Sequence, residues 1–315
     1  MRILIVGGGI ADVERRRFLD DRGRLLFEFD EASLWRPVAL PIALPRRDLH
    51  RILAEGASGI PIRFGMTVTT IADSGDAVDV AFTDGTAGRF DLVIGADGIH
   101  STVRRLVLHG PAARLAGQVA WRYLVDGHPE ITGWNGWLGP DRSFLALALG
   151  NGRVYCYGDV RATAPSDPTG GDPTAFTRLF ASFAEPVPAL LGAVGGTVEL
   201  HFSPIEEVTP PTFVKGRVVL IGDAAHASSP NMAEGASMAL EDALLLADGL
   251  ATGADLPSAL EAFVSRRVAR VQWVQDKTHA RDRLRYLPPW LRAVVMRSFG
   301  KRTSRAHYRL LLERP

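Results

Sequence analysis

The sequence predicts an α/β fold in which loop ends after buried strands converge on a large, mostly anionic ligand. Three observations carry that reading. Short apolar strands stop abruptly at glycine at Ile3-Leu4-Ile5-Val6-Gly7, at Leu92-Val93-Ile94-Gly95 and at Val218-Val219-Leu220-Ile221-Gly222. Between the second and third junctions, residues 117–201 alternate apolar with polar positions, the pattern of an antiparallel sheet. From Leu256 the chain reads as arginine-rich helix, interrupted at Pro288-Pro289.

The third junction is the most informative. Gly222-Asp223 is followed by a run of small residues, then Pro230, then Glu234-Gly235-Ala236, and a helical run from 237 to 250. A tight glycine turn leading into a helix presents free backbone N–H groups and a positive dipole end to a bound anion.

The remaining elements follow in order. Residues 2–6 form a first strand. Residues 17–19 and 25–29 flank Asp21-Arg22-Gly23 as a β-hairpin. Pro45 and Asp48 precede a helix over 49–54 with Leu49, Ile52 and Leu53 on one face. Strands are expected at 62–64, 67–71, 77–82 and 90–94, with a turn at Asp84-Gly85. The alternating region supplies strands at 121–125, 144–149 and 153–157, with one face lining a cavity. Residues 163–173 are a loop, 172–191 a helix, and 213–221 return to the first domain.

Composition excludes several classes. The chain has 315 residues, 46% hydrophobic and 23% charged, ample for a sizeable core or two domains. A net charge of +1 gives no basic field for nucleic acid. The single Cys156 rules out an internal disulfide and a multi-cysteine metal cluster, and fits a reducing cytoplasm. No metal site is expected, and no apolar run reaches the roughly 18 residues of a membrane span. The apolar start leads straight into glycines, as a buried strand does and a signal peptide does not.

Each candidate residue also has a plainer reading. Gly7 and Gly9 stand where a dinucleotide fingerprint begins, but Asp12 replaces its third glycine, and residues 13–17 carry no apolar helix face. A Gly-rich turn after an edge strand explains them equally well. Asp97 with Gly98 suits a ribose hydroxyl or an N–H donor, and Arg104 a phosphate. The plain alternative is an Asp97 helix cap and a solvated Arg104. Asp223 suits a polyol hydroxyl, or is an N-cap. His226 reads as a structural histidine, since no carboxylate is visibly placed to orient it. Trp134 and Trp137 line a cavity or simply pack a sheet. Arg266, Arg267, Arg270, Arg281, Arg283 and Arg285 read as a solvated helix face, with a membrane surface as the alternative.

Together these motifs resemble the FAD-dependent aromatic hydroxylases of the para-hydroxybenzoate hydroxylase family, the class A flavoprotein monooxygenases. The likeness runs over nearly all the chain from Arg16. Residues 91–104 are similar to the family's DG motif, and Gly222-Asp223-Ala224-Ala225-His226 to its second FAD motif, whose aspartate holds the ribityl chain. Pro45-Arg46-Arg47-Asp48-Leu49 is similar to its Arg-x-x-Leu helix start, which implies that Arg46 contacts the flavin. By position Val68 would offer backbone groups to adenine. Pro230 would lie beside the flavin, and Gly235, Ala236 and Ser237 would stabilise its anionic form. Two positions depart from the family pattern: Ser237 stands where Asn is usual and Glu234 where Gln is common.

The resemblance implies a Rossmann-like FAD-binding domain over 1–12, 41–110 and 206–255. It implies an inserted, mainly antiparallel substrate domain over 13–40 and 111–205, and a C-terminal helical region over 256–315. It implies FAD as cofactor and NAD(P)H as cosubstrate. O2 and an aromatic or related electron-rich small molecule would react through a flavin C4a-hydroperoxide, in a monomer or homodimer. No side chain is singled out as a catalytic acid or base. The aromatics Trp121, Trp134, Trp137, Tyr155 and Tyr157 suit a flat substrate. The family's helix and second strand are missing between Ala11 and Val13. Either a segment is lacking there or half of the AMP site is lost. The exposed apolar edges such a loss would leave favour the former, and an intact mass above 34.1 kDa would support it. Two other readings are a halogenase-like flavoenzyme and a flavin-binding protein without activity. Trp134-Asn135-Gly136-Trp137 only superficially resembles the halogenase Trp-x-Trp-x-Ile-Pro motif, with different spacing and no Ile-Pro.

Overall fold

The computed structural model describes residues 11–38, 41–196, 198–209 and 212–313. The first expected strand, with Gly7 and Gly9, lies outside them. Two compact units emerge: Met1–Pro61, Gly117–Pro204 and Arg283–Leu312 form one, and Ile62–Ala116, Ile205–Asp282 and Glu313–Pro315 the other.

The first unit is built on a seven-stranded sheet. Its order is His201–Glu207, Arg114–Val125, Val154–Arg161, Arg142–Ala148, Trp134–Leu138, Arg15–Asp20 and Leu25–Asp30. The hairpin Arg15–Asp20/Leu25–Asp30 forms as expected, closed by Asp20, whose carboxylate accepts from the backbone of Arg22 and Arg24. Arg15–Asp20 then pairs in parallel with Trp134–Leu138, while the strands from there to Arg114–Val125 pair antiparallel.

Alternation gives this sheet two unlike faces. Leu19, Trp121, Tyr123, Trp137, Phe144, Ala146 and Cys156 share one, buried against Phe176, Phe180, Phe183 and Leu190. The region expected as one helix over 172–191 forms two short ones, Pro173–Phe180 and Val187–Leu191. Pro186 and Pro188 cannot donate to a preceding turn, so the helix restarts there. The opposite face carries Phe18, Trp134, Leu145, Leu147 and Tyr155, which are only half-buried.

The second unit holds two small sheets. Val68–Asp73, Val78–Phe82 and Ala87–Phe90 form an antiparallel meander. Val214–Lys215, Val218–Leu220 and Val93–Gly95 form a mixed sheet in which the last two run parallel. The hairpin strand Arg15–Asp20 likewise runs parallel to Trp134–Leu138 in the first unit. Helices Gly235–Ala251 and Leu256–Arg285 supply Leu245, Leu246, Leu260 and Phe263, which pack on Val219.

Two strand expectations change. Residues 62–64 are not a strand, and Phe64 is 87% exposed; a strand of that length needs a ladder partner, and none pairs with it among the described residues. The strand expected over 90–94 splits at Asp91-Leu92, because Phe90 closes the meander while Val93–Gly95 joins the parallel pair. The helix near 49–54 extends over Arg46–Gly56, but none of its residues is buried, so its apolar stripe is not core.

Candidate cofactor site in the second unit

The parallel pair sets the site. Val218, Val219 and Leu220 lie beside Val93, Ile94 and Gly95, and the Ile221 N–H donates to the Gly95 carbonyl at 3.0 Å. Both strands therefore end at the same level, and both continue into glycine turns. Gly95 permits the close approach: a Cβ there would sit 2.6 Å from Leu220 and 2.9 Å from Val103. Gly222 has φ 59° and ψ −143°, a conformation open essentially to glycine alone.

The carboxylates at the two turns differ. Asp97 caps the helix Thr102–Leu108, accepting from the Thr102 and Val103 N–H groups at 2.7 and 3.1 Å and from the Ser101 hydroxyl. Asp223 is exposed, and no hydrogen bond or ion pair engages its carboxylate among the described residues. A Cβ on Gly235 would lie 4.0 Å from Asp223 Oδ1, so the Gly222 turn and the start of the next helix face one another. A Cβ on Gly98 would meet only open space.

Gly235, Ala236 and Ser237 form the exposed first turn of the helix Gly235–Ala251, and the N-cap Glu234 makes no side-chain cap hydrogen bond to it. Pro230 opens a short 3-10 turn just before it and is exposed. This combination fits a polyol-bearing anionic cofactor: an exposed carboxylate for hydroxyl groups, N–H groups at the start of a 17-residue helix, and glycines leaving room for both.

Ala233 joins the two elements at φ 61°, a left-handed conformation that costs an L-residue about 1–2 kcal/mol. Ala233→Gly relieves that strain, partly offset by glycine's extra unfolded-state entropy. The expected net gain is about 0.5 kcal/mol, read as a raised urea midpoint; an unchanged or lowered midpoint would contradict it.

Arg104 does not point outward as expected for a phosphate ligand or a solvated side chain. It is buried, and its guanidinium donates to the carbonyls of Ala224 at 2.8 Å, Ile99 at 2.6 Å and Pro111 at 3.2 Å. It thus ties the Asp97 turn to the Gly222 turn from behind.

The sequence reading missed the carboxylate that orients His226. Asp242, on the helix Gly235–Ala251, lies 2.7 Å from His226 Nε2. The same oxygen accepts the Gly222 N–H at 2.7 Å, and its other oxygen accepts from Arg267 Nε at 2.6 Å. Arg267 also donates to Glu241 at 2.6 Å, and Arg270 grips the same carboxylate at both oxygens at 2.8 Å. The Arg-rich tail is therefore not a uniformly solvated face: Arg267, Arg270 and Arg285 are buried. Arg285 bonds Gln118 at 2.9 Å and pairs with Asp159 within the first unit. The missing signal was spacing: Asp242 stands 16 residues from His226, yet one helix brings it back.

Burial alone would raise the Asp242 carboxyl, but His226, Arg267 and the Gly222 N–H together hold it below the ordinary carboxylate value. A value lower in the folded than in the unfolded chain gives stability that is complete above about pH 4 and is lost as pH falls through the lowered value. The thermal midpoint should therefore fall on acidification below about pH 4, and Asp242→Asn should flatten that part of the profile. An Asn variant with the wild-type acid slope would contradict the assignment.

Val68 begins the first strand of the meander, half-buried opposite Phe82. Arg46 belongs to the first unit, where it opens the helix Arg46–Gly56 and its charge reaches Tyr155. Trp121 and Trp137 are core residues of the buried sheet face. Trp134 and Tyr155 lie on the other face with Leu147, packed by Val13, Ala43 and Leu149. The Trp134 ring lies over Gly136, where a Cβ would meet it at 2.6 Å, and Phe18 packs beside it at 4.8 Å between ring centroids.

A family model described as "FAD binding domain" matches residues 28–115 and 202–278, over half of the chain and both glycine turns. The chain belongs to this FAD-binding family of class A flavoprotein monooxygenases. Among its relatives is the FAD-dependent urate hydroxylase of Klebsiella oxytoca, 31% identical over 83% of this chain and 71% of that protein. Another is the 2-heptyl-3-hydroxy-4(1H)-quinolone synthase of Pseudomonas aeruginosa, 35% identical over 79% of this chain. The chain spans 66% of that synthase's own length. The solved structure of Klebsiella pneumoniae HpxO with FAD and uric acid matches 96% of this chain and 81% of its own, with a TM-score of 0.84 at 26% identity. The family's α/β architecture of mixed sheets and C-terminal helices is thus that of the described residues. No described helix is long and apolar enough to cross a membrane, and no described cluster of His, Cys, Asp or Glu could hold a metal ion.

Proposed function

We propose that this chain is an FAD-dependent monooxygenase that uses NAD(P)H and O2 to hydroxylate an aromatic or related electron-rich small molecule. One observation carries the reading. Asp223, exposed and with no partner among the described residues, faces the first turn of Gly235–Ala251 at the end of the parallel strand pair. Bound FAD would supply hydride acceptance and oxygen activation; the chain supplies position, dryness and charge.

Asp223 would accept from the ribityl hydroxyls, and the N–H groups of Gly235, Ala236 and Ser237 would stabilise negative charge on the flavin. Pro230 would lie beside it. Gly98 would leave room for the cofactor, and Asp97, whose oxygens accept from Ser101, Thr102 and Val103, would hold the turn that carries it. Arg104 acts from behind the turns. Val68 would offer backbone groups to the adenine. In this reading 1–12, 41–110 and 206–255 serve a Rossmann-like FAD domain, 13–40 and 111–205 the substrate, and 256–315 a helical region.

The half-open sheet face with Phe18, Trp134, Leu147 and Tyr155 suits a planar substrate. Urate and a quinolone, for which these relatives are named, are planar heterocycles, in keeping with that face. The enzyme would work in the reducing cytoplasm, as a monomer or homodimer, with no nucleic-acid partner.

The test is NAD(P)H and O2 consumption by the FAD-loaded chain across a panel of phenols and N-heterocycles. Substrate-stimulated turnover with a hydroxylated product is expected. Bound FAD with no turnover on any member would leave a flavin-binding protein without activity.

A further inference from the structure

We infer that Asp242 and His226 form a brace that positions the Gly222–Asp223 turn and so presents Asp223 to the cofactor. The inference rests on the FAD-binding reading of that turn. Gly222 takes a backbone conformation that no side-chain contact of its own can hold, since it has none. Its buried N–H would be orphaned without an acceptor. Asp242 supplies that acceptor at 2.7 Å and is itself 1% exposed.

The same oxygen draws in His226 Nε2 at 2.7 Å. His226 ends the short helix Asp223–His226, so the carboxylate grips the turn at its first residue and at its last. The geometry requires the Nε2–H form of the imidazole, because the carboxylate can only accept. Arg267 Nε, bonded to the other oxygen, keeps Asp242 ionised and fixed in orientation. Asp242 and His226 do not reach out of the turn: both are buried, whereas Asp223 between the grips is exposed. They act on the cofactor through Asp223.

Two variants separate this role from simple packing. His226→Leu keeps bulk and removes the donor; His226→Gln keeps an amide donor near the Nε2 position. In the apoprotein, amide exchange over residues 222–226 should quicken about tenfold in the Leu variant, as loss of a hydrogen bond to a charged group implies. FAD titrated into that apoprotein should bind about tenfold more weakly, with loss of the resolved shoulder of the bound-flavin visible band. The Gln variant should keep wild-type exchange and affinity. Wild-type exchange in the folded Leu variant would overturn the brace. If the Leu variant does not fold, the Gln variant decides alone: wild-type exchange and affinity support the donor role, and their loss overturns it. A wild-type chain that takes up no FAD would instead overturn the cofactor reading, while the exchange measurement still judges the brace.

Discussion

Arg267→Ala is expected to cost about 3–5 kcal/mol of folding stability. Arg267 is wholly buried and donates to Asp242 and Glu241 at 2.6 Å each and to the Met238 carbonyl at 3.2 Å. Removing it leaves Asp242 buried with only neutral donors and a histidine around it. The intact pair need not be worth that much against an apolar replacement; the cost comes from the charge left behind. An exposed arginine of the same helix, Arg283, should change stability by no more than about 0.5 kcal/mol when replaced by Ala. Urea denaturation of the two variants distinguishes them, and an Arg267→Ala loss below about 1 kcal/mol would contradict the buried network.

Asp223→Ala should behave oppositely. Its carboxylate has no partner among the described residues, so the apoprotein should keep its stability within about 0.5 kcal/mol. FAD affinity should fall by about 10- to 100-fold, the value of a hydrogen bond to a charged acceptor. Calorimetric titration of the apoprotein with FAD reads it. Unchanged affinity would remove Asp223 from the site, and a destabilised apoprotein would mean that the residue serves the fold.

Local pattern made much of this molecule legible. The hairpin around Asp21-Arg22-Gly23, the alternating strands and the glycine turns at Gly95 and Gly222 all depend on neighbours within a few residues. The misses share another physical origin. Burial of Arg267, Arg270 and Arg285 is decided by carboxylates and amides that lie far off in sequence, at Asp242, Glu241, Asp159 and Gln118. An arginine at a helical position looks the same to local reading whether its partner is water or a buried acid. Arg104 shows the same limit, since its acceptors are backbone carbonyls with no sequence signature. The aromatic strands were visible as a sheet, but their sorting into a buried face with Trp121 and Trp137 and a half-open face with Trp134 and Tyr155 needed the register.

Hydrogen exchange of the apoprotein with and without saturating FAD bears most directly on whether the two glycine turns hold one cofactor. Concerted protection of residues 97–98, 222–224 and 235–237 on FAD addition is the expected result. Protection confined to one of the turns, or absent from both while FAD is bound, would contradict it.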